Sequence, residues 1–127
     1  LLQLKYFDSI LQERENIYHS YKQGIDASAG CRLIEIPKNI LYNYAYCPIV
    51  FEEGLKARDK AYDKMKSENI FCRKYWYPLI TKQKIYSSHK CSKLLNAEKL
   101  SQKILFLPIY PGLEKKIVLK IIKIING

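Results

Sequence analysis

The densest chemistry in this sequence is the run Arg73-Lys74-Tyr75-Trp76-Tyr77-Pro78. Two cations precede three consecutive aromatic rings, one of them the single tryptophan. An arginine fork pairs with phosphate through charge-assisted hydrogen bonds, and an aromatic face stacks a flat ring. The run therefore has the parts of a site for a phosphate-bearing ligand with a planar group. Read as a strand, it alternates, so that Arg73, Tyr75 and Tyr77 share one face and Lys74 and Trp76 the other. A core strand with a lysine at its edge has the same composition, and the residue types alone do not separate the two readings.

No nucleophile–base pair accompanies the run. The histidines are His19, on a helical stretch, and His89, in a polar one, and both read as surface residues. Glu52-Glu53 stand just before a helix, where carboxylates favour the helix dipole. Gly24, Gly30, Gly54, Gly112 and Gly127 are isolated, so there is no glycine-rich phosphate loop. Cys31, Cys47, Cys72 and Cys91 are spaced 16, 25 and 19 residues apart, with no CxxC or Cys/His pair, so no metal site is expected. Cys47 and Cys72 fall in apolar stretches; buried reduced thiols are expected rather than disulfides, which suits a cytoplasmic protein.

The elements that must carry these residues belong to one small domain. The chain has 127 residues, 48% hydrophobic and 27% charged, as a folded domain does and a disordered tail does not. Its length excludes most large enzyme architectures as complete units, and a start at Leu1 suggests a piece of something longer. The formal net charge is +10. Residues 1–70 hold ten basic and ten acidic side chains, residues 71–127 twelve and two, so all the excess lies in the C-terminal half. Such a field attracts phosphate, nucleic acid or anionic lipid. Eighteen of the 22 basic residues are lysine, so a solvated lysine surface is the favoured account. No stretch of 18 apolar residues and no signal peptide is present, so no membrane partner is expected.

Residues 1–22 read as a helix with a stripe of Leu4, Phe7, Leu11, Tyr18 and Tyr21, widened by Ile10 and Ile17 and broken by Arg14, and with Gly24 as its stop. Asp26–Gly30 reads as a loop. Residues 42–51 read as a strand in which Tyr42, Tyr44 and Tyr46 alternate with smaller residues, and Pro48 places it at an edge or an irregularity. Residues 55–68 read as a helix with Leu55, Tyr62 and Met65 on one face, charges elsewhere and Asn69 at its end. A strand at 70–77 stops at Pro78, and residues 81–93 form a long polar loop. A helix capped by Asn96 runs to Ile104, a strand spans Leu105–Ile109, Tyr110-Pro111-Gly112 make a turn, and Leu113–Asn126 is the last helix. The order α-β-α-β-α-β-α predicts an α/β (α+β) domain, a small, mainly antiparallel sheet packed by helices.

Arg58-Asp59-Lys60-Ala61-Tyr62-Asp63-Lys64-Met65-Lys66, Asn69-Ile70, Arg73-Lys74-Tyr75-Trp76-Tyr77-Pro78-Leu79, Asn96-Ala97-Glu98-Lys99 and Leu107-Pro108-Ile109-Tyr110-Pro111 form an ordered set. That set resembles the C-terminal small domain of the DegT/DnrJ/EryC1/StrS sugar aminotransferases, pyridoxal-phosphate enzymes of the aspartate-aminotransferase fold (fold type I). The resemblance covers essentially the whole chain. It implies that residues 1–24 are the connecting helix from a large cofactor-binding domain and residues 25–127 the small domain.

The resemblance implies an enzyme that transfers an amino group, usually from glutamate, to a keto-sugar linked to a nucleoside diphosphate. In that family a lysine holds pyridoxal 5'-phosphate as a Schiff base and an aspartate pairs with the pyridine nitrogen. Those residues belong to the large domain. No family motif surrounds Lys64, Lys82 or Lys99, so this chain is expected to hold no catalytic or cofactor-binding residue and to be inactive alone. Trp76 and Tyr77 correspond to the aromatic pair that touches the nucleotide sugar, with Arg73 as a diphosphate contact and Tyr75 as a wall of the pocket. Many members carry histidine two residues after the family's proline, where this chain has Ile80. The Tyr-Pro-Leu form is more typical of members acting on thymidine-diphosphate deoxyketo-sugars. A cytoplasmic homodimer and a role such as polysaccharide biosynthesis follow from the same likeness. The competing reading is a stand-alone basic module that binds nucleic acid or another anionic partner.

Overall fold

A computed structural model describes residues 2–88 and 92–127. His89 and Cys91 lie outside the described residues. The elements are α1 (Phe7–Gly24), β1 (Cys31–Leu33), β2 (Cys47–Phe51), α2 (Leu55–Ser67), α3 (Leu95–Lys103), β3 (Ile104–Leu107) and α4 (Lys115–Asn126). The expected class holds, four helices around a small antiparallel sheet of three strands. The order is α-β-β-α-α-β-α, because the expected strand at 70–77 is absent apart from a single bridge between Arg73 and Phe106. In its place β1, which reading the sequence left unassigned, pairs at the other side.

The strand order is β1-β2-β3, with Leu33 opposite Ile49 and Ile49 opposite Leu105. Side chains alternate across a sheet, so Cys31, Cys47, Ile49, Phe51, Leu105 and Leu107 share one face, and all belong to the core. The other face carries Pro48, Val50, Ile104 and Phe106.

Of the two alternatives expected for Pro48, an edge or an irregularity, the edge is overturned, since its strand is central. The Ile34 N–H, just past β1, donates to Pro48 O at 3.2 Å. Proline has no N–H to return, and the Tyr18 hydroxyl reaches the Ile34 carbonyl at 3.4 Å instead. The expected strand at 42–46 is also absent. Tyr44 has φ +47°, outside strand geometry. Tyr42 and Tyr44 pack on Tyr18, with ring centroids 6.4 and 5.4 Å away.

α1 follows a 3₁₀ turn at Gln3–Tyr6 and shares the core, with Ile17, Tyr18 and Tyr21 buried. The N-terminal part of its stripe is uncovered, with Leu4 67% and Phe7 51% exposed. The Tyr21 hydroxyl donates to Pro108 O at 2.9 Å. Where α1 ends, its backbone meets α4 so closely that a Cβ on Gly24 would lie 2.6 Å from Ile122 Cδ1. Asn126 Nδ2 donates to Gly24 O at 2.9 Å there. α4 buries Val118, Ile121, Ile122 and Ile125, each contributing roughly 1.5–3 kcal/mol.

α2 buries Met65 and ends as expected at Asn69, whose φ is +57°. Asn69 N–H donates to Lys66 O and Ile70 N–H to Met65 O, the paired bonds of a left-handed helix stop. The Tyr110–Gly112 turn is present, closed by Leu113 N–H on Tyr110 O. Boundaries move: α1 starts at Phe7 and runs to Gly24, α3 starts at Leu95 with no side-chain cap from Asn96, β3 spans Ile104–Leu107 and so ends before Pro108, and α4 starts at Lys115. The polar segment after Pro78 contains two single-turn 3₁₀ helices, Ile80–Lys82 and Lys84–Tyr86. Among the described residues no helix is long and apolar enough to cross a membrane.

Candidate functional site

The site grows from the outer edge of β3. Arg73 N–H donates to Phe106 O at 3.1 Å and Phe106 N–H to Arg73 O at 2.9 Å, which fixes one residue of the cation–aromatic run against the sheet. The chain then turns, with Tyr77 N–H on Lys74 O at 2.9 Å. The Tyr75–Trp76 and Tyr77–Pro78 peptide bonds are cis. The expected two-faced alternation of 73–77 is therefore corrected: these residues form a turn and the side chains diverge.

Tyr75 leans edge-on against Phe106 and Tyr46, at centroid distances of 5.3 and 6.1 Å. Trp76 lies against Tyr75 at 4.7 Å and is 68% exposed. Tyr77, 47% exposed, covers the Arg58 guanidinium, whose Cζ is 4.7 Å from the ring centroid. Arg73 is exposed, with Cζ 5.7 Å from the Tyr75 centroid, and has no carboxylate partner among the described residues. Lys74 Nζ meets Asp59 Oδ1 at 2.7 Å and lies 3.9 Å above the Tyr62 ring.

Arg73, Tyr75, Trp76 and Tyr77 come together around an open cleft of about 500 Å³. That volume is in the range of small-molecule sites. Ile80, 65% exposed, stands on the cleft wall. A second cleft of about 340 Å³ lies between Tyr75, Phe106, Tyr46 and Tyr110 and shares Arg73.

Reading the sequence missed Arg58, placed among the charges outside the apolar face of α2. It is fully buried. The signal was available: Leu55, Arg58, Tyr62 and Met65 follow at three-, four- and three-residue steps, so the arginine lies on the apolar stripe. Asp59 is its partner. Burial alone would push the Asp59 carboxyl up, but hydrogen bonds from Lys74 and Arg58, with their charges, outweigh it and hold the carboxyl below its usual range.

Lys74, on the wall of the larger cleft, is engaged by Asp59, and Lys82 by Glu98 at 3.3 Å. Cys31, Cys47 and Cys72 are buried free thiols. Burial pushes them up to about 11, 12 and 12, and Cys47 is raised further by Cys72, so they stay protonated and unreactive near neutrality. No group of three or more His, Cys, Asp or Glu side chains that could hold a metal occurs among the described residues. His19 lies 3.7 Å from Glu15 on the exposed side of α1.

Comparisons with known proteins converge. The model of the DegT/DnrJ/EryC1/StrS aminotransferase family matches residues 1–126. The dTDP-4-amino-4,6-dideoxy-D-glucose transaminase of Escherichia coli is 35% identical over 131 residues, covering 100% of this chain and 35% of the relative. The transaminase of the same name from Shigella dysenteriae is 30% identical over 99% of this chain and 35% of its own length. The chain thus spans about a third of the curated relatives it matches. Among solved structures, the aminotransferase TlmJ from Streptoalloteichus hindustanus superposes with a TM-score of 0.85 at 21% identity, over 98% of this chain and 33% of that one. The full-chain family match and the identity to the transaminases lead to one conclusion: the chain belongs to the DegT/DnrJ/EryC1/StrS aminotransferase family.

Proposed function

We propose that this chain is the C-terminal small domain of a pyridoxal-phosphate-dependent nucleotide-sugar aminotransferase, and that it supplies part of the nucleotide-sugar site. Residues 1–24 are then the helix joining it to a large domain, and residues 25–127 the small domain. The observation that carries the reading is the cleft of about 500 Å³ walled by Trp76 and Tyr77, with Arg73 lacking a carboxylate partner beside them, in a chain of this family. Exposed rings offer stacking faces to a planar group, worth about 1–3 kcal/mol each in base–aromatic contacts. The Arg73 fork suits a diphosphate, and Tyr75, backed by Phe106 and Tyr46, walls the cleft.

The substrate class is a keto-sugar on thymidine diphosphate, in keeping with the names of the E. coli and Shigella relatives. Glutamate as amino donor, a cytoplasmic homodimer and a part in polysaccharide biosynthesis belong to the same reading. The chain's own residues bind and orient. The proton transfers of transamination are assigned to the large domain, which in this family carries the cofactor lysine.

The test is direct. Purified 1–127, mixed with pyridoxal phosphate, glutamate and a thymidine-diphosphate keto-sugar, is expected to show no turnover and no new visible absorbance band. Turnover by this chain alone would overturn the proposal. Steeply salt-dependent oligonucleotide binding would instead favour the basic-module reading; no comparison supports that reading.

A further inference from the structure

The function proposed above makes no use of Arg58. A guanidinium with no solvent exposure is costly unless it is both paired and hydrogen-bonded. Arg58 is both. Nη1 donates to Ser101 O in the last turn of α3 at 2.6 Å, and Nε and Nη2 donate to Asp59 Oδ1 at 3.0 and 2.8 Å. The remaining flat face meets the Tyr77 ring. Asp59 Oδ1 also accepts Lys74 Nζ at 2.7 Å. One carboxylate oxygen thus ties together two cations, and these hold the turn on either side of Trp76: Lys74 before it, Arg58 under Tyr77 after it.

We propose that Arg58 is a positioning residue for nucleotide-sugar binding. It sets the plane of Tyr77 directly and, through Asp59 and Lys74, the entry of the same turn, so the Trp76–Tyr77 pair faces the cleft before ligand arrives. The inference rests on the reading that this pair contacts the nucleotide sugar. Trp76 and Tyr77 are 68% and 47% exposed, so burial in the core does not hold them. Exposed rings that must be ordered on binding lose affinity, and a buried scaffold removes that cost in advance. Lysine at position 58 would keep the charge but lacks the planar face and fixed fork needed to engage Ser101 O, Asp59 and the Tyr77 ring together.

Steady-state kinetics of the complete transaminase test this. Arg58→Lys is expected to raise KM for the nucleotide sugar about tenfold, with kcat and the amino-donor KM changed less than about twofold. Tyr77→Ala should do the same, and the double variant should raise KM by clearly less than the product of the two single effects, because Arg58 acts in part through that ring. Multiplying effects would overturn the proposal and leave Arg58 with a purely structural role. An unchanged nucleotide-sugar KM in Tyr77→Ala would instead overturn the underlying reading of the site, and the positioning role with it. If Arg58→Lys fails to fold, Lys74→Gln, at a less buried position, releases the other end of the turn. It should raise the same KM about threefold and no other constant; an unchanged KM there overturns the proposal.

Discussion

Two aromatic stretches read as strands from the sequence, and neither enters the sheet. Tyr42-Asn43-Tyr44 folds back on α1, whereas Tyr75-Trp76-Tyr77 turns away from β3. The first closes on itself. Its rings pack against each other at 5.2 Å and against Tyr18, and its hydroxyls find protein acceptors: Tyr42 donates to Tyr46 O at 2.8 Å and Tyr44 to Glu15 Oε1 at 2.9 Å. The second is backed by cations and leaves its faces open. Arg58 lies under Tyr77 and Arg73 beside Tyr75, while Trp76 stands 68% exposed. An aromatic cluster whose faces and hydroxyls are taken up by the protein is a packing element. One held by cations with a face left free suits the ligand-binding role proposed for it.

The sharpest way to break that contrast is to truncate one ring in each region. Tyr18→Ala removes a ring 4% exposed that anchors the first cluster, and should cost about 3 kcal/mol of stability in urea unfolding. Trp76→Ala should cost less than about 0.5 kcal/mol of stability, as surface changes do. In the complete enzyme it should weaken nucleotide-sugar binding about tenfold, about 1.4 kcal/mol, with little change for glutamate. Equal weakening of both ligands would make Trp76 structural and erase the difference between the regions.

Acid separates the regions further. The folded-state Asp59 carboxyl titrates below its ordinary value of 3.8. Its stabilising contribution is therefore present above that value and lost as pH falls through the lower folded value. Asp59→Asn should lower stability at neutral pH and flatten the acid limb below about pH 4. An acid limb identical to the parent's would show that the carboxylate clamp contributes nothing. The smallest effect belongs to Tyr44→Phe. Losing its partly exposed bond to Glu15 should cost about 0.5 kcal/mol, with nucleotide-sugar kinetics unchanged; altered kinetics would join the first cluster to the site.

The legible parts of this chain are those decided by near neighbours. Asn69 stops α2 because a left-handed residue satisfies carbonyls three and five residues back. The apolar period of residues 113–126 gives α4, and the Tyr-Pro-Gly turn follows from its residue types. The residues chosen for the site, Arg73, Tyr75, Trp76 and Tyr77, do meet around one cleft. Their faces depart from strand alternation because only Arg73 pairs with the sheet. β1 was missed because three residues, Cys-Arg-Leu, are too short to show a period. The stripe on α1 showed which side is apolar but not that Leu4 and Phe7 would stay exposed.

By itself the sequence determined the helices, most of their stops and the fold class, because propensity, periodicity and capping act over a few residues. Tertiary structure decided which strand lies at the centre, that Pro48 is tolerated there, and which distant groups the buried Arg58 and Tyr21 meet. Those outcomes depend on partners distant in the chain: Arg58 meets Ser101 across 43 positions and Tyr21 meets Pro108 across 87. No local pattern encodes such a meeting; packing the sheet against α1, α2 and α4 brings it about.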